Sequence, residues 1–216
     1  MTGLREIVSR LNSDPRSLLT DECVLALGAF LSGYRHANGT IGALLARLTE
    51  RFPGPEQAAA CTRAYLTMSD TRAALQAVLS ALGDELSHAE AAGVRAAGSA
   101  LPEHTFVEAL RGAIVDGRPC MFLREPTVVC MADYGRGYVA GITSVDPVSG
   151  ASQELQLRQF ESWLRTWYGG LHAPWYGLIR VHEGACELGL RRFLELWDSF
   201  TAELAGSAAS SAMAPR

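Results

Sequence analysis

The chain has 216 residues, 48% of them hydrophobic, with a formal net charge of -4 and a pI near 5.7. That length buries one substantial core or two small ones sharing an interface. The acidic balance offers no general attraction to phosphate backbones or anionic lipid surfaces, so neither nucleic acid nor membrane is expected as a partner. The basic residues are all arginine, which excludes lysine Schiff-base chemistry, pyridoxal-phosphate attachment and a P-loop lysine.

From the N-terminus, no secretory-type apolar segment is found, and no apolar stretch approaches the ~20 residues of a membrane span, so a cytoplasmic location is expected. Apolar residues at Leu4, Ile7, Val8 and Leu11 predict a first helix, broken at Asn12-Ser13-Asp14-Pro15. Thr20 is the expected N-cap of a second helix, with Cys23 in its first turn and Asn38-Gly39-Thr40 at its end. Further helices are predicted over about 41–51, 56–66 and from Ser69-Asp70 to Gly83.

Residues 84–100 are rich in Ala, Gly, Ser and acid and predict a flexible connection. After a helix over 103–115 the apolar period shortens. Runs at 120–123, 127–131 and 138–142 are β-prone, and Asp133-Tyr134-Gly135-Arg136-Gly137 has hairpin-turn composition. Asp146 to Gly150 reads as another turn before an alternating Leu155, Leu157 strand; 159–168 resumes helical spacing, 177–182 reads as a last strand, and 187–204 as an amphipathic helix. The expected fold class is α+β, a helical N-terminal half followed by a small antiparallel sheet and a C-terminal helix. A single domain over 1–205 comprises a helical segment at 1–83 and an α+β segment at 101–205, followed by a disordered tail at 206–216. No internal repeat is read.

The five cysteines, Cys23, Cys61, Cys120, Cys130 and Cys186, are scattered without a CxxC pair. Buried free thiols in a reducing compartment are expected for all of them but Cys23. With no HExxH, no paired cysteine motif and no strand-to-helix context around Gly135-Arg136-Gly137, neither a metal nor a cofactor is expected. The aromatic set Trp163, Trp167, Tyr168, Trp175 and Tyr176 is conspicuous. The i, i+4 pair Trp163 and Trp167 has core spacing, whereas 168–176 reads as a loop, where exposed aromatics form a pocket rim or a partner surface.

Asp21-Glu22-Cys23-Val24-Leu25-Ala26-Leu27, ending in Ser32-Gly33-Tyr34, resembles the opening of papain-like cysteine peptidases of the bacteriocin-processing kind. The order Gly117-Arg118-Pro119, strand, hairpin, Val145-Asp146-Pro147, strand and an aromatic helix is similar to that family's closing segment. The resemblance covers about residues 17–170. It implies a papain-like cysteine hydrolase or acyltransferase on a peptide or acyl substrate, in bacterial specialised metabolism, with Cys23 as nucleophile and Asp146 orienting an imidazole. The position where the family carries that histidine is Thr127. Trp163, Trp167, Trp175 and Tyr176 would line the substrate site for a peptide or small-molecule ligand. Two other readings stand beside it: a non-catalytic accessory or binding protein on a degenerate scaffold, and a helical interaction module meeting a protein partner through the 168–176 loop.

Overall fold

A computed structural model of the protein describes residues 2–91, 104–119, 123 and 125–212. Among them every regular element is helical: α1 (Thr2–Ser13), α2 (Val24–Ala37), α3 (Gly42–Glu50), α4 (Ala60–Thr67), α5 (Thr71–Ala91), α6 (Phe106–Val115), α7 (Val128–Thr143), α8 (Pro147–Trp167), α9 (Trp175–Glu183) and α10 (Glu187–Ala212), with 3-10 turns at Pro15–Ser17 and Gly39–Ile41.

The expected α+β class and the papain-like arrangement are therefore corrected. Residues 128–131 of the supposed strand at 127–131, the supposed hairpin turn at 133–137 and the supposed strand at 138–142 are one continuous helix, α7, capped by the Thr127 side chain on the Cys130 amide. Its Val, Tyr, Ile and Gly content has strand and turn propensity. Both flanks of α7 are nonetheless enclosed, and buried Val128, Met131, Gly135, Tyr138 and Ile142 recur at three- and four-residue intervals. A helix enclosed on all sides loses the polar face by which amphipathic spacing is recognised. Leu155 and Leu157 belong to α8, and residues 177–182 to α9. Residues 120–122 lie outside the described residues, as do 92–100 of the expected connection and 213–216 of the expected tail; 84–91 continue α5, and 206–212 continue α10.

The ten described helices form two five-helix halves, a repeat not visible in the sequence. At a spacing of 104 residues, N-cap Cys23 corresponds to N-cap Thr127, Gly33 to Gly137 and Tyr34 to Tyr138, while buried Leu19, Val24 and Leu27 correspond to buried Leu123, Val128 and Met131. Later elements keep a similar register. Leu44 and Leu48 of α3 match Phe160 and Leu164 of α8, 116 residues on. Leu75, Val78, Leu79 and Leu82 of α5 match Leu190, Phe193, Leu194 and Trp197 of α10, 115 residues on. Packing repeats too: α4 lies on α2, α3 and α5 as α9 lies on α7, α8 and α10, and α1 lies on α5 as α6 lies on α10. Each half encloses its own apolar cluster, aliphatic in the first and aromatic in the second, where Phe160 touches Trp163, Trp175, Phe193, Trp197 and Phe200.

The halves meet where α2 crosses α7, and three glycines set that closeness. A Cβ on Gly33 would lie 1.9 Å from the Tyr134 carbonyl oxygen, one on Gly137 1.9 Å from that of Phe30, and one on Gly141 2.9 Å from that of Tyr34. The contacts run in register along both chains, so α2 and α7 are parallel. Backbone lies on backbone there, an approach that any side chain would prevent.

Candidate functional site

Cys23 is the N-cap of α2, its sulfur accepting the Ala26 amide at 3.4 Å. The same N-cap role in α7 belongs to Thr127, which explains why a threonine stands where the resemblance calls for a histidine. Asp146 is the N-cap of α8, accepting from the Ser149 hydroxyl at 2.6 Å and the Val148 amide at 3.0 Å, bonds that lower its pKa. The two residues are not brought together. Ser144, two residues before Asp146, receives a 2.9 Å bond from Asn38, the C-cap of α2, whereas Cys23 sits at the other end of that helix. Fourteen residues at 1.5 Å rise place the two ends about 20 Å apart.

The Cys23 thiol is also unactivated. Burial raises its pKa, and the nearby Asp21 and Asp133 charges add to the rise, against bonds from the Ala26 and Leu25 amides. Peptide mapping after limited iodoacetamide treatment at pH 8 is therefore expected to find exposed Cys186 alkylated roughly tenfold faster than Cys23. Faster labelling of Cys23 would restore a nucleophilic thiol.

Next to this cap lies the buried acid of the crossing. Asp133, 1% exposed, accepts the Thr20 amide at 2.7 Å and the Thr20 hydroxyl at 2.6 Å, with Arg136 at 3.9 Å. Desolvation pushes its pKa up to about 6 in spite of these partners. Its equivalent in the first half is Ala29, 104 positions earlier. The carboxylate ties the loop ahead of α2 to α7, and Arg136 continues outward to lie over the Tyr176 ring at 5.4 Å. On the other side of α7, His36 Nδ1 hydrogen-bonds with the Tyr134 hydroxyl, and Tyr138 donates to the His104 carbonyl at 2.8 Å. These groups close the crossing with polar bonds.

The expected aromatic set divides. Trp175 is core, and Tyr176 is half-buried beneath Arg136. Trp163 is half-buried, its indole N–H donating to Glu203 at 2.9 Å, and Trp167 stacks on it at 5.0 Å while remaining 51% exposed. Tyr168 bonds Glu183 and stacks on His182. A Schellman ending, with Gly169 and Gly170 donating to the Thr166 and Arg165 carbonyls, stops α8 just past Trp167. Exposed Leu171 follows, and exposed Leu204 lies one turn beyond Phe200, which also meets Trp163.

Comparison of the halves shows what is unusual there. Trp163 and Trp167 stand 116 positions after Arg47 and Arg51. In the first half those arginines close the α3–α5 surface with ion pairs, Arg47 to Glu85 at 3.0 Å and Arg51 to Asp84 at 3.3 Å. In the second half the Glu85 position is Phe200, and the surface is aromatic. The tryptophans stand out in the sequence, but their charged counterpart becomes visible only once the repeat is known.

No group of three His, Cys, Asp or Glu side chains is placed to hold a metal ion among the described residues. Nor is any helix there long and apolar enough to cross a membrane. No family model, curated protein or solved structure matches the chain.

Proposed function

We propose that the protein is a helical interaction module whose second half presents the Trp163–Trp167 surface to a protein partner. One observation carries this reading: two stacked indoles, one half exposed, occupy the places that the equivalent half fills with ion-paired arginines. Large rigid aromatics that remain partly exposed are favoured as binding anchors, since they bury much area at little conformational cost. The flanking Leu171 and Leu204 widen the apolar area, and Glu203 and Glu161 supply a polar edge. The free thiols of Cys23, Cys130 and Cys186 are in keeping with a reducing, cytoplasmic setting for this role.

Replacing Trp167 with a photoreactive phenylalanine analogue in the source cells is expected to yield a discrete adduct with one protein, whereas the same replacement at Arg51 yields none. Equal adducts from both positions, or none from either, would overturn the reading.

A further inference from the structure

The register between the halves jumps from 104 to 116 at the start of α8, so twelve residues, about 145–156, have no counterpart in the first half. There α2 reaches α3 through a single 3-10 turn; here α7 continues through Asp146 into three additional turns of α8. This addition is held by Gly150, packed so closely on Thr143 that a Cβ would lie 2.0 Å from its hydroxyl. Its outer face is not used by the fold. Val145, Val148 and Leu155 are 41%, 79% and 57% exposed, with small, exposed Ala151 and Ser152 between the last two.

We infer that this added face pairs with the same face of a second copy, α8 crossing α8 antiparallel about a two-fold axis at Ala151–Ser152. The order of residues is self-complementary about that point. Val148 meets the partner's Leu155, Ala151 meets the partner's Ser152, and the stem of Arg158 covers the partner's Val145. The small central residues let the axes approach, as isologous pairing through one patch requires. Charge agrees as well: the crossing sets each Arg158, exposed and paired along its own helix with Glu154, beside the partner's half-buried Asp146. Two crossed helices form a small interface, so the dimer is a weak one.

Sedimentation velocity on the full chain, from about 1 to about 100 µM to bracket the affinity of so small an interface, is expected to show a rise from one 23.2 kDa chain to two. Leu155→Arg is expected to weaken association at least about tenfold while leaving the helical circular dichroism intact. In a Cys186→Ser background, Ser152→Cys is expected to give a disulfide-linked dimer on mild oxidation, and Ser162→Cys on the same helix none. A chain monomeric throughout, or a dimer indifferent to Leu155→Arg and uncrosslinked by Ser152→Cys, overturns the pairing. A dimer lost instead in Trp167→Ala would assign self-association to the aromatic surface and overturn only the α8 crossing.

Discussion

Gly33→Ala and Gly137→Ala are each expected to lower the free energy of unfolding by about 3 kcal/mol or more, and Gly83→Ala to raise it by about 0.5–1 kcal/mol. All three residues lie inside helices, where alanine is intrinsically the better residue. The sign is decided by what the new methyl meets. At Gly83 in α5 nothing lies within 4 Å, so only the backbone preference remains. At Gly33 and Gly137 the methyl would lie 1.9 Å from a carbonyl oxygen of the opposite helix. Carbonyls in a helix cannot turn aside, so α2 and α7 must separate, loosening the packing of Phe30, Tyr34, Tyr134 and Tyr138 together. Urea unfolding of the three variants is the test. Comparable stabilisation at all three positions would mean that the helices do not touch as described.

Asp133→Asn is expected to match wild type near pH 4 and to become the more stable protein as pH rises through about 6. The folded pKa of Asp133, about 6, lies above the ordinary carboxylate value of 3.8. The folded state therefore holds its proton where the unfolded state has lost it, and the stability associated with that proton is fully present below 3.8 and lost by about pH 6. Two pKa units correspond to a difference on the order of 3 kcal/mol. Asparagine is neutral throughout and can still accept from the Thr20 amide and donate to its hydroxyl. Arg136 and Asp21 are the charged neighbours that act on the site in opposite senses, and both remain in the variant. Thermal unfolding from pH 4 to 8 measures the difference. A variant less stable than wild type by the same amount at every pH would show that the carboxylate is ionised without cost.

Much of the first half is legible in the sequence because helices such as α1 are two-sided. Leu4, Val8 and Leu11 are buried while Arg5, Glu6, Ser9 and Arg10 face water, and the period of 3.6 follows. The start of α2 is legible to within one turn: Thr20 has the chemistry of a cap, but its hydroxyl is committed to Asp133, 113 positions away, and Cys23 caps instead. In the second half α7 defeats local reading. Asp133, Gly135 and Gly137 look like turn residues locally, yet Asp133 answers to the loop before α2, Gly135 to Phe106 of α6 and Gly137 to Phe30 of α2, relations set by tertiary contact. The same limit applies to the site. The aromatic residues are conspicuous, but whether Trp175 is core and Trp167 exposed depends on neighbours in α10 that spacing does not name. The resemblance that joins Cys23 to Asp146 links two N-caps serving different helices.

The parallel course of α2 and α7 gives their crossing an electrical polarity. In antiparallel bundles neighbouring peptide dipoles cancel, whereas here both central helices begin at one pole and end at the other, so their partial charges accumulate. Each half places a carboxylate two residues ahead of its cap, Asp21 before Cys23 and Glu125 before Thr127, opposing the positive pole where the two amino ends emerge.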